Sequence, residues 1–139
     1  MSAKGLADTG AMLALLDGDD AWHKRCSDAF PSLRLPLATS AAVLAELFHL
    51  LRPGTEELER TWRFIRSGVV TVLPINDHDL SHLARLMVKY SDRPMDFADA
   101  TLVRLAERET LSSIFTIDHD DFETYRIGGK TKFRITPPR

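Results

Sequence analysis

The chain has 139 residues, 44% hydrophobic and 27% charged, with a formal net charge of −2. This composition excludes a disordered chain and suits one unit spanning residues 1–139; the near-neutral charge supplies no overall basic footprint for nucleic acid. The lone Cys26 cannot form an internal disulfide and fits a reducing, cytoplasmic setting, while neither Met1 to Asp8 nor the apolar segment Ala41 to Leu51 is expected to act as a signal peptide or a membrane span.

Leu6-Ala7 reads as a short first strand ending at Asp8. A helix with Met12, Leu13, Leu15 and Leu16 follows and closes at Asp17-Gly18. Asp19 or Asp20 is expected to cap a second helix through Trp22, Cys26 and Phe30, which Pro31 ends. Leu33 to Thr39 reads as a strand that Pro36 places at an edge. Ser40 suits the N-cap of a helix over Ala41 to Leu51, and Thr55 that of another carrying Leu58, Trp62 and Ile65. Val69 to Ile75 is a β-branched run and the clearest strand. Asn76 is expected to cap a helix with Leu80, Leu83, Met87 and Tyr90. A further helix starts near Asp96, with Phe97, Thr101, Leu102, Leu105 and Ala106 on one side. Ser113 to Ile117 and Phe133 to Thr136 complete the strands. The alternation predicts an α/β fold: a mainly parallel central sheet with helices on both faces, in three layers. In such sheets the functional crevice lies at the carboxyl ends of the strands. Asp8 and Asp118 fall there.

Four acids stand out, and each also has a local explanation. Glu46 shares a helix face with Ala42, Val43 and Leu50, where a carboxylate is costly unless paired, protonated or bound to a cation; it also reads as a rim residue meeting Arg52 or His49. Asp8 suits a helix cap. Asp96 and Asp99 share a face, with Asp96 the better cap and Asp99 the better ligand. Asp118 continues a strand, whereas Asp121 reads as holding a turn. Taken together, Asp8, Glu46, Asp99 and Asp118 can converge on one rim. Crowded carboxylates repel and demand a cation. Hard oxygen donors without nearby cysteine favour Mg²⁺ or Mn²⁺, which can activate water and stabilise a phosphodiester under attack. The five histidines, His23, His49, His78, His82 and His119, show no zinc spacing and read as surface or supporting residues. Arg126, Lys130, Lys132 and Arg134 form a basic tail, which reads either as a solvated terminal face or as a phosphate-contacting edge beside an acidic site.

With these residues in place, the chain resembles the PIN-domain nucleases, and most closely the VapC-type toxins of bacterial toxin–antitoxin pairs. The matching segments are Leu6 to Asp17 around Asp8, Ala45-Glu46-Leu47, Met95 to Ala100 around Asp99, and Phe115-Thr116-Ile117-Asp118 followed by Asp121-Phe122. They cover most of the chain in the family's order. The resemblance implies Asp8, Glu46, Asp99 and Asp118 as catalytic acids, with Asp8, Asp99 and Asp118 as metal ligands. It implies Thr9 and Thr116 as neighbouring hydroxyls and Asp96 in an assisting role. It further implies RNA as substrate (tRNA or rRNA), a homodimer, and a small antitoxin that blocks the site. Gly5 and Lys4 depart from the apolar first strand that such sequences show. Two other readings compete. One is a catalytically silent module of the same fold that binds RNA or protein. The other, an aspartate-nucleophile phosphatase, requires a second Asp where Gly10 stands.

Overall fold

A parallel strand buried on both faces needs small or apolar residues at every position, and Gly5–Ala7 and Leu37–Thr39 are buried throughout. In the computed structural model, which describes residues 2–139, these segments are β1 and β2 of a five-stranded sheet. Met1, part of the expectation for the start of the chain, lies outside the described residues. The sheet is completed by β3 (Val70–Val72), β4 (Ser113–Phe115) and β5 (Arg134–Thr136), in the order β3-β2-β1-β4-β5. Each neighbouring pair is parallel, with Leu6 opposite both Ala38 and Ile114.

Helices connect the strands: α1 (Thr9–Leu16) and α2 (His23–Ala29) after β1, α3 (Ala41–Leu50) and α4 (Thr55–Ile65) after β2, α5 (Leu80–Lys89) and α6 (Phe97–Glu109) after β3, and α7 (His119–Thr124) after β4. The first strands progress outward; the chain then returns past β1 to lay down β4. Right-handed crossovers running in opposite directions put their helices on opposite faces, which gives the expected three layers. The reversal opens a crevice where β1 and β4 end side by side. Leu6, Met12, Leu47, Leu102, Leu105, Ile114 and Phe115 are fully buried between the layers. Burial also raises the Cys26 thiol to about 11, so it stays a packing group. No helix among the described residues is long and apolar enough to cross a membrane.

The structure corrects several local expectations. β2 begins one residue after Pro36 and lies inside the sheet between β1 and β3, not at an edge. β3 spans only Val70–Val72: Leu73 gives the last bond, its N–H to the Thr39 carbonyl at 2.9 Å, and Pro74 has no N–H to continue. Gly54, not Thr55, occupies the N-cap of α4, and Trp22 that of α2. Leu80 and Phe97, expected on buried faces, are 51% and 49% exposed. The stretch after Asp118, where Asp121 read as holding a turn, is the helix α7. Gly5 starts a central strand despite its poor propensity because a side chain there would crowd the Ser113 carbonyl oxygen, 3.2 Å from where its Cβ would sit.

Two polar contacts set the helices relative to the sheet. The Thr101 hydroxyl donates to the Ala98 carbonyl at 2.6 Å, so across the 2.7 Å contact between hydroxyls Ser40 is the donor. Ser40 also accepts the Val43 N–H, so one hydroxyl caps α3 and ties it to α6. Further along α6, Arg104 and Arg108 donate at 2.7 and 2.8 Å to the fully buried carboxylate of Asp79, which also takes the Asn76 N–H. Burial alone would raise Asp79; the Asn76 bond and the two guanidiniums outweigh it and hold the group at about 2. Asp79→Ala removes the buried carboxylate that two largely buried guanidiniums share, leaving them the more exposed Glu107 and Glu109, and is expected to cost about 3 kcal/mol. Urea denaturation measures this, and a loss below about 1 kcal/mol contradicts the assignment.

Candidate active site

Asp8 follows β1 directly and is the N-cap of α1. Its Oδ1 accepts the Thr9 N–H at 2.8 Å, and its Oδ2 accepts the Thr116 hydroxyl at 2.8 Å. Thr116, just beyond β4, then accepts the Asp118 N–H at 3.0 Å. One buried hydroxyl, 108 residues from Asp8 in sequence, thus joins the first and fourth acidic positions. Asp99 lies in the first turn of α6, and its N–H bonds the Asp96 carboxylate, the N-cap, at 2.7 Å. Its own Oδ2 accepts the Tyr125 hydroxyl at 3.0 Å. Glu46, on α3, is half-buried, and no ion pair engages it among the described residues; Arg52 instead meets Asp17 and Asp19.

Asp8, Thr9, Glu46, Asp96, Asp99 and Asp118 line one cleft of about 360 Å³, with Gly10, Leu50 and Ile117 completing its wall. No lysine, arginine or histidine lines it. A larger concavity, about 760 Å³ against Leu58 and Trp62 on α4, holds none of these acids. The structure therefore brings all four expected acids together, with Asp96 beside them. The reading that split Asp96 from Asp99 matches the geometry: Asp96 caps, and Asp99 keeps a carboxylate facing the cleft.

The electrostatics follow from burial and crowding. Desolvation raises Asp8 to about 6, against the hydrogen bonds from Thr116 and Thr9, with Glu46 and Asp96 adding repulsion. Asp99 is pushed up to about 8 by desolvation, then by Asp8 and Asp96, with the Tyr125 bond acting in the opposite sense. Asp118 is also raised, by desolvation and by a hydrogen bond shared with the Asp121 carboxyl. Burial and the Asp99 charge raise Tyr125, so the phenol stays protonated and remains a donor. A divalent cation suits this donor set: all ligands are oxygens, and one oxygen each from Asp99, Asp118 and Asp121 lie within 4.8 Å of one another.

Asp121 was expected only to hold a turn; instead it faces the cluster and pairs with Arg93 at 2.7 Å. Tyr125 and Arg93 escaped the sequence reading. The signal for Asp121 and Tyr125 was the spacing 118, 121, 125, which becomes one face once α7 is a helix. His119 is buried rather than at the surface. Its ring nitrogens face the Ile117 and Pro137 carbonyls at 3.1 and 2.8 Å, and the ring packs on Trp22. Of the basic tail, Arg126 turns its guanidinium onto the Glu123, Thr124 and Tyr125 carbonyls. Lys130 and Lys132 are exposed in the connection to β5, and Arg134 opens β5 at the rim opposite the acids.

Comparison with known proteins agrees with this geometry. The PIN domain family model matches residues 6–128. Ribonuclease VapC26 of Mycobacterium tuberculosis is 30% identical over 134 residues, covering 95% of this chain and 99% of that protein. The chain belongs to the PIN-domain family, and its relatives carry the VapC-type resemblance that its ordered acidic motifs imply. In fold it is similar to the Mycobacterium tuberculosis VapC20 toxin, described as cleaving the sarcin–ricin loop, with a TM-score of 0.75 at 24% identity over 84% of this chain and 92% of that one. FitAB bound to a DNA fragment is a second structural neighbour, with a TM-score of 0.64 at 17% identity over 94% of both chains.

The raised carboxyls fix a sign for pH. A carboxyl whose folded pKa exceeds its unfolded value near 3.8 makes the folded state bind more protons, so its stabilisation is present at low pH and lost as pH rises. Asp79, held low, loses its contribution only below about pH 4. In the presence of a chelator, the melting temperature is expected to fall between about pH 5 and about pH 8, and added Mn²⁺ is expected to reverse the trend. Stability that rises with pH in the chelated protein contradicts the shifts.

Proposed function

We propose that this protein is a Mg²⁺- or Mn²⁺-dependent endoribonuclease acting as the toxin of a type II toxin–antitoxin pair. The observation that carries the reading is the cleft itself: five carboxylate side chains on its walls and no cationic side chain among them. A fold that only bound RNA through this cleft would be opposed by such uncompensated negative charge. Asp99, Asp118 and Asp121 are the acids whose oxygens lie close enough to share an ion, and the family resemblance adds Asp8, on the wall of the same cleft, as a ligand. A divalent ion held there supplies a lowered pKa for water and counter-charge for the phosphodiester.

The chain's own groups do the positioning. Thr9 and Thr116 fix both oxygens of Asp8, and Tyr125 fixes one oxygen of Asp99. Glu46, half-buried and without an ion partner, is placed to accept a proton from an attacking water at its carboxylate. Leu50 and Ile117 give the cleft its apolar wall.

The partner proposals rest on the relatives and on exposed apolar surface. The α3–α4 face, where Phe48 packs on Trp62 at 4.9 Å and Leu58 is exposed, suits a small antitoxin. Val72 and Phe97, exposed around a concavity of about 370 Å³, suit a second copy of the chain.

The decisive substitution is Asp99→Asn, which keeps shape and removes charge. It is expected to reduce Mn²⁺-dependent cleavage of structured RNA by roughly a hundredfold or more, equivalent to about 3 kcal/mol of transition-state stabilisation. Cleavage at the wild-type rate would sink the proposal. A wild-type protein that cuts no RNA and shows no melting shift with Mn²⁺ would favour the silent binding module instead.

A further inference from the structure

His82, Arg85 and Lys89 recur at intervals of three and four residues and so share one face of α5. Arg93, four residues further along, lies in the turn beyond the helix and donates to Asp121 at the edge of the acidic cleft. The face is concave, not flat. His82, Arg85, Leu86, Lys89, Glu107 and Gly128 enclose about 200 Å³ between α5, α6 and the turn after Arg126. Gly128 and Gly129 have φ of 60° and 77°, a conformation that side chains disfavour. That turn lies against the end of Lys89, whose Nζ is 3.7 Å from where a Cβ on Gly129 would sit, and presents the exposed Lys130 beside it.

Arg93 is paired with Asp121, and Lys89 lies over the Tyr90 ring, 5.4 Å from its centroid; the other charges of the stripe meet no acid. Among the described residues Arg85, Lys89 and Lys130 form no ion pair, whereas Arg52, Arg60, Arg104, Arg108 and Arg139 do. The one acid on the concavity, Glu107, lies 3.8 Å from Arg104. The Nδ1 of His82 is buried without a hydrogen-bond partner. From His82 to Lys89 the helix advances about 10 Å, which is about three steps of a stacked nucleic-acid strand at about 3.4 Å each.

We propose that this stripe is an RNA track: His82, Arg85 and Lys89, with Lys130 on the glycine turn, hold phosphates flanking the scissile bond, and Arg93 joins the track to the acids. It rests on the ribonuclease reading above and extends it to how the substrate is held. An acidic peptide would suit the stripe alone, but its carboxylates would meet more carboxylates where the stripe ends. A phosphodiester strand is the ligand that profits from cations along its length and from a cation-loaded acidic site at one point.

Arg85 and Lys89 are exposed, so the double variant Arg85→Glu/Lys89→Glu is expected to fold; Arg63→Glu/Arg66→Glu, at the C-terminal end of α4 and just beyond it, makes the same charge change elsewhere. The probe is a fluorescein-labelled RNA hairpin of about twenty nucleotides, bound in the presence of chelator over a range of salt concentrations. The double variant is expected to bind it about tenfold or more weakly, with the slope of log affinity against log salt smaller by about 1.5. With Mn²⁺, its kcat/KM should fall at least about fivefold further for the hairpin than for a tetranucleotide that spans only the acids. The α4 variant is expected to match the wild type. Hairpin affinity within about twofold of wild type, or an equal loss in the α4 variant, overturns the track. Unchanged hairpin affinity with lost binding of poly-glutamate also overturns it, assigning the stripe to an acidic protein segment. If the wild type cuts no RNA, the ribonuclease reading fails as well; if it cuts and the double variant binds normally, only the track fails.

Discussion

Asp8 sits where the two central strands end, and both of its oxygens are held, one by the Thr9 N–H and the other by the Thr116 hydroxyl. Everything else about the site depends on that anchoring. Left to themselves, buried acids would turn outward, toward water and away from each other. The bonds to Asp8 keep one carboxylate on the rim, and Thr116 passes the constraint on by accepting the Asp118 N–H. Asp96 caps α6 and so brings Asp99 in its first turn against the same rim, where Tyr125 holds it. The cluster is thus maintained by neutral donors, which restrain the acids without cancelling their charge.

The same chain handles another buried acid in the opposite way. Asp79 is as inaccessible as Asp8, but two guanidiniums and a backbone N–H satisfy it and its pKa falls to about 2. Asp8 and Asp99 receive no cation from the protein and rise to about 6 and about 8. The contrast separates a carboxylate that the protein neutralises from those it leaves unpaired more sharply than burial does. A fold able to neutralise Asp79 could have neutralised the others; leaving them unpaired costs stability that a bound divalent ion can return.

The fold class and the principal acids were legible because each rests on local information. Alternating strand and helix patterns give a parallel sheet, and Asp8 and Asp118 follow strand ends. Glu46 stands out by interrupting an apolar face. The failures have physical causes. Strands of three residues carry little periodicity, so Val69 to Ile75 read as longer than β3 is, although Pro74 marked the stop. Pro36 suggested an edge because a proline inside a ladder loses a bond, but β2 begins just after it and loses none. The helix α7 has only six residues, three of them acids, and so Asp121 read as holding a turn. Missing it hid the shared face of Asp121 and Tyr125. Arg93 was invisible because its partner, Asp121, lies 28 residues away and only the tertiary fold joins them.

The central claim is that these carboxyls form one cluster that holds protons more tightly than ordinary carboxylates and gives them up to a divalent cation. Calorimetric titration of the chelator-stripped protein with Mn²⁺ near neutral pH, in buffers of different ionisation enthalpy, tests it most directly because it counts protons as well as heat. The account predicts saturable binding with release of about one proton or more per ion, since ligands must deprotonate to bind, and loss of both signals in Asp118→Asn. Binding without proton release, or binding that Asp118→Asn leaves intact, would contradict it.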